Sequence, residues 1–141
     1  MKGVRKSMRE ASLCLLVIFS LMSMVVSSGC KDEVVSDSSD IVFPTNNVSY
    51  SQHVQPLFNQ TCALSACHDN GQHSSDLCLT SYNNTVFRTP GVVVPGQPQV
   101  STIVFRIEGT TGQQMPLNRA PLNQNQINGI RTWIAEGAKD N

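Results

Sequence analysis

The chain has 141 residues and a formal charge of zero, with 40% hydrophobic, 14% charged and 6% aromatic residues. That leaves room for one small domain and excludes a multi-domain enzyme with its own large cleft, and the neutral balance gives no electrostatic footprint for nucleic acid. The balance conceals an asymmetry: Lys2, Arg5, Lys6 and Arg9 stand against Glu10 at the start, whereas beyond Gly29 six Lys/Arg face nine Asp/Glu, a net of −3.

Residues 1–10 form a basic n-region, and residues 11–26 (ASLCLLVIFSLMSMVV) are almost continuously apolar. This run is shorter than the roughly 20 residues a membrane-spanning helix needs, and it suits the h-region of a signal peptide. Ser27-Ser28-Gly29-Cys30 follows and resembles a bacterial lipobox, departing from it at Ser27, where an aliphatic residue is usual. The resemblance implies a lipoprotein signal peptide over residues 1–29 and a lipid on Cys30. The domain would then be anchored on the periplasmic side of a bacterial membrane, or at the outer membrane or cell surface. An ordinary secretory signal and an uncleaved anchor are the alternatives. All three place the domain outside the cytoplasm, where thiols are oxidised or otherwise engaged.

Residues 30–47 are polar and Ser/Asp-rich and read as a flexible tether to a domain over 48–141, with Val42 and Phe43 packing on the domain edge. Within the domain, Ser51 is a good N-cap for a helix over 51–59 that puts Val54, Leu57 and Phe58 on one face. Pro56 must lie in its first turns. Residues 81–88 allow a short helix or turn. Residues 91–99 (GVVVPGQPQ) run extended into a Pro-Gly turn. Residues 100–108 put Ile103, Val104 and Ile107 on one helical face capped by Ser101, although their β-branched content also permits a strand. The last helix is the clearest: Asn123 caps it, and Ile127, Ile130, Ile134 and Gly137 recur beside Trp133. The expected class is mainly α, three to five short helices with long loops.

Cysteine spacing carries the chemistry. With Cys14 in the signal and Cys30 lipidated, Cys62, Cys67 and Cys78 remain, an odd number that does not suit a domain held by disulfides alone. Cys62 and Cys67 lie in CALSACHDNG with His68 directly after the second. A c-type haem site is normally Cys-x-x-Cys-His, in which the thiols bind the porphyrin as thioethers and the His becomes the proximal iron ligand. Here the Cys67-His68 relation is intact and the gap is wider, so residues 63–66 must bulge to bring Cys62 back. Met115 is the only Met beyond the signal, 47 residues after His68. Iron with a His on one face accepts a soft thioether on the other, and Pro116 holds Met115 extended in a loop, so Met115 is the candidate distal ligand.

The stretch 50–138 resembles the small monohaem cytochrome c domains of bacterial periplasmic proteins and lipoproteins, of the planctomycete type. The resemblance is carried by Val54-Gln55-Pro56-Leu57-Phe58, Leu79-Thr80-Ser81-Tyr82, Val92-Val93-Val94-Pro95-Gly96-Gln97-Pro98, Met115-Pro116 and Gln126-Ile127…Ile130…Trp133-Ile134…Gly137-Ala138. It departs in the four-residue Cys gap and in Cys78. It implies a cytochrome c-like domain around one haem c, with thioethers at Cys62 and Cys67 and iron ligands His68 and Met115. It implies a single-electron carrier rather than an enzyme, a redox protein as partner, and contact with the membrane through the lipid on Cys30.

Other residues have weaker claims. Arg119 is a candidate for a haem propionate. His53 belongs on the polar, solvated side of its helix, and His73 is a minor candidate to replace Met115. Trp133 and Tyr82 suit core packing. Cys78 is either a buried free thiol or a disulfide partner of Cys62. A peroxidase-like variant would need Met115 displaced. The competing reading is a non-haem module. Cys62, Cys67, His68, His73 and Cys78 would then supply a structural zinc site, or a degenerate cytochrome fold would serve protein contacts.

Overall fold

Pro56 sets the form of the first helical segment. It has no N–H to donate, and in the computed structural model, which describes residues 41–71 and 76–141, the chain ahead of it takes the wider π register. Tyr50–Val54 is a π turn closed by the Gln55 N–H on the Tyr50 carbonyl. Helix α1 (Gln55–Thr61) follows without a break, with Pro56 in its first turn. The cap is Ser49 rather than Ser51: the Ser49 hydroxyl accepts from the Gln52 N–H at 3.2 Å. The Ser51 hydroxyl instead donates to the Asn141 carbonyl at 2.8 Å. Val54, Leu57 and Phe58 are fully buried, as their spacing predicts.

A second π turn covers Asn84–Arg88, and a 3-10 turn covers Pro98–Val100. The region that permitted either helix or strand is helix α2 (Thr102–Glu108), with Ile103, Val104 and Ile107 buried. Ser101 occupies its N-cap position, yet its buried hydroxyl accepts from the Val94 N–H at 2.9 Å and donates to the Gln97 carbonyl at 3.0 Å. It ties the Pro-Gly turn to the helix rather than capping it. Gly109, at φ 69°, ends α2: its N–H reaches the Arg106 carbonyl and the Thr110 N–H reaches Phe105 O, a Schellman closure.

Helix α3 (Gln124–Ala135) begins with a reciprocal capping box between Asn123 and Gln126. It buries Ile127, Ile130, Trp133 and Ile134 against the other segments. Trp133 and Tyr82 are core residues. The indole N–H donates to Lys139 O at 3.0 Å and the Tyr82 hydroxyl to Ala138 O at 2.9 Å. Tyr50 stacks between them, 5.4 Å from Trp133 and 5.2 Å from Tyr82. Among the described residues there is no strand, and no helix is long and apolar enough to cross a membrane.

The packed structure begins at Phe43, ahead of the boundary expected at Val48. Asn125 on α3 accepts from the Phe43 N–H at 2.8 Å and donates to its carbonyl at 3.0 Å. The Phe43 ring fills the space that a Cβ on Gly129 would occupy. Glu136 then accepts from the Asn47 and Val48 N–H groups at 2.6 and 2.9 Å. So residues 43–47 of the expected tether are attached to the domain, while Val42 is exposed. The signal peptide, Cys30, the tether up to residue 40 and His73 lie outside the described residues.

Candidate functional site

Cys62 stops α1, its N–H bonded to the Phe58 carbonyl at 2.8 Å. The four residues after it fold back on themselves. The Cys67 N–H donates to Leu64 O at 2.9 Å, Ala66 takes φ 64°, and the His68 N–H donates to Cys62 O at 3.1 Å. The wide cysteine gap is therefore a closed bulge that returns His68 to the backbone of Cys62. The next contacts come from residues 77–79: the Leu79 N–H donates to His68 O at 2.9 Å, and His68 Nδ1 lies 3.2 Å from the Leu77 carbonyl. A carbonyl can only accept, so Nδ1 carries the proton and Nε2 keeps its lone pair for another partner.

Met115 lies on the loop after α2, its N–H donating to the Arg106 carbonyl at 2.8 Å. His68, Met115 and Cys62 line two adjoining clefts. One, of about 200 Å³, is walled by Phe58, Leu79, Val92, Ile103 and Ile107. The other, of about 270 Å³, adds Cys67, Pro116, Leu117 and Arg119. Together they reach the range of about 300–1,000 Å³ in which ligand pockets fall. Burial pushes the Cys62 thiol up to about 11, against the lowering hydrogen bond from Thr61, so at neutral pH it is an uncharged member of an apolar wall.

Cys78 lines neither cleft. Its sulfur sits in a polar cage, 3.1 Å from Asn70 Oδ1 and from Thr80 Oγ1 and 3.3 Å from Asn84 Nδ2. Burial pushes its thiol up, but the hydrogen bonds from Thr80 and Asn84 and the charge of Arg88 outweigh it and leave the thiol lowered. Cys62, Cys67 and Cys78 are all free thiols, so the Cys62–Cys78 disulfide that the sequence left open is not formed. No three His, Cys, Asp or Glu side chains cluster as metal ligands among the described residues. His53, expected on a solvated face, is half-buried: its ring packs 5.7 Å from Phe43 and its Nδ1 lies 3.2 Å from the Ser49 N–H.

No protein-family model, curated protein or solved structure matches the chain. Cys62, His68 (held through Nδ1) and Met115 line both clefts, and Cys67 lines the second. This set fits a c-type haem: thiols to form thioethers, a nitrogen and a sulfur for iron, and an apolar crevice for the ring. Arg119, exposed on the second cleft, is placed to pair with a carboxylate.

Two contributors carried weak signals or none in the sequence. Leu77 orients His68 through its carbonyl, which every residue possesses. Arg106 lines the first cleft and meets the loop before Met115. Its only trace is an Arg in an apolar helix followed by the glycines Gly109 and Gly112.

Proposed function

We propose that this cytochrome c-like domain is a membrane-anchored electron carrier holding one haem c through Cys62 and Cys67, with His68 proximal and Met115 distal. One observation carries the reading: His68 and Met115, 47 residues apart in sequence, line the same two clefts together with Cys62. When bound, the haem supplies a one-electron couple between ferric and ferrous iron.

The chain's own residues do the rest. The Leu77 carbonyl accepts from His68 Nδ1 and so fixes the ring's orientation and tautomer. The Met115 thioether favours the reduced iron, raising the potential relative to two nitrogen ligands. The side chains of the first cleft offer the ring an apolar wall, and Arg119 stands at the second cleft to hold a carboxylate. With His68 and Met115 both assigned to the iron, no place would remain there for a substrate, which favours a carrier over an enzyme. The lipid on Cys30 would keep the domain at the outer face of a membrane, where a redox protein exchanges electrons with it.

The test is a denaturing gel stained for haem, with the full chain made in a host that has cytochrome c maturation machinery. Haem is expected to stay with the band after boiling, and to be lost when Cys62 and Cys67 are both changed to Ala. A folded, colourless protein without stain would overturn the reading and turn attention to metal content and to a protein-binding role.

A further inference from the structure

The loop that delivers Met115 is wound around one side chain. After Gly109 the chain turns back over the end of α2, and three contacts return it there. The Thr110 N–H donates to Phe105 O at 3.0 Å, Gln114 Nε2 donates to Ile107 O at 3.2 Å, and the Met115 N–H donates to Arg106 O at 2.8 Å. Arg106 adds its guanidinium: Nη1 lies 3.3 Å from the Gln113 carbonyl and 3.5 Å from the Thr111 carbonyl. Gly112, at φ 64°, passes so close that a Cβ there would collide with Nη1. The loop closes on the guanidinium, which would have to move aside for a side chain at Gly112. A single residue thus holds Met115 by its carbonyl and the residues just before Met115 by its cation.

We propose that Arg106 is the positioning residue for the distal ligand: the 110–114 loop is a buckle clasped on its guanidinium, and the clasp keeps the Met115 sulfur at the wall shared by the two clefts. This rests on the reading of Met115 as an iron ligand and adds the device that holds it. The carbonyl contact survives any substitution that keeps the helix, so the side chain's share is separable. Both contacts come from Nη1, whose two N–H groups are fixed in the guanidinium plane, whereas a lysine ammonium on a flexible stem holds the two carbonyls less well. At Gly112 an alanine meets both the left-handed backbone and the guanidinium, so Gly112→Ala opens the clasp with Arg106 still present.

The haem-loaded full chain is compared as wild type, Arg106→Leu, Arg106→Lys, Gly112→Ala and Met115→Ala. The readouts are haem stain, the long-wavelength absorption band of a ferric thioether ligand, and carbon monoxide binding to the reduced form. Wild type is expected to show stain and band and to exclude carbon monoxide; Met115→Ala loses the band and binds the gas. Arg106→Leu and Gly112→Ala are expected to keep the stain, lose the band and admit carbon monoxide, with Arg106→Lys between them and wild type. If wild type lacks the band, or Met115→Ala resembles wild type, the ligand reading fails and Arg106 with it. If Met115→Ala loses the band while Gly112→Ala and Arg106→Leu keep it, the ligand stands and the positioning role is overturned. Should Arg106→Leu fail to accumulate, Gly112→Ala and Arg106→Lys decide in the same terms.

Discussion

Tyr50 is a buried phenol whose hydroxyl contacts Gln55 Oε1 and lies 3.2 Å from Thr85 Oγ1. Burial pushes its pKa from 10.0 up to about 12; the hydrogen bond from Thr85 opposes this and the charge of Asp140 adds to it. The unfolded phenol loses its proton first as the pH rises. Between pH 10 and about 12 the folded state therefore binds more protons than the unfolded one, and stability falls across that window. Tyr50→Phe removes the hydroxyl and orphans its partners, a loss of about 1–2 kcal/mol at neutral pH. It also removes the alkaline titration, so its deficit against wild type is expected to shrink as the pH climbs from 10 to about 12. Urea unfolding of both proteins across that range checks it. The raised Cys62 thiol is present in both and cancels. A deficit that stays constant with pH would mean that the phenol is not shifted.

At the level of elements, α3 is the frame on which the ends of the domain are fastened. Asn125 and Gly129 lie one turn apart and seat Phe43, one by hydrogen bonds and the other by having no side chain. On an exposed helix face Gly→Ala would stabilise by up to about 1 kcal/mol. At Gly129 the new methyl must displace the Phe43 ring, so Gly129→Ala is expected to destabilise, by about 1–3 kcal/mol as overpacking does. In a Phe43→Gly background both the ring and the Cβ that a methyl at Gly129 would meet are gone, and the same substitution should be neutral or stabilising. A double-mutant cycle in urea measures the difference, and simple additivity would show that the two residues do not share the site. This seat was illegible in the sequence, because a glycine in a helix signals a weak point and not a receptor. The helix itself was legible, from Asn123, Gln126 and the isoleucine spacing. The first helix was legible in its buried face but not in its start. Two serines, Ser49 and Ser51, compete there, and the π turn ahead of Pro56 decides for the earlier one.

For the whole molecule, the question is whether the described domain is complete without a bound group. The local half of the site was readable: Cys67-His68 sets its own geometry, and the wide gap had to bulge. That Met115 lines the same clefts as His68 follows from how α1, α2 and the loops pack, which spacing alone does not encode. The resulting cleft of about 200 Å³ is walled by side chains that elsewhere form the core. At roughly 24 cal/mol per Å³ such a void would cost about 5 kcal/mol if it were sealed, less for a cleft that water can enter. Small domains have only about 5–15 kcal/mol in all. A chain made without haem is therefore expected to be marginal, unfolding at clearly lower urea than the haem-loaded protein and over a broader transition. The comparison is the same full chain from hosts with and without maturation machinery, with Met115→Ala in both. If Met115 ligates iron, Met115→Ala should lower the midpoint of the loaded protein and barely move that of the haem-free one. Equal midpoints for loaded and haem-free wild type would mean that the domain needs nothing in its cleft, which is the behaviour of a protein-contact module and not of a cytochrome.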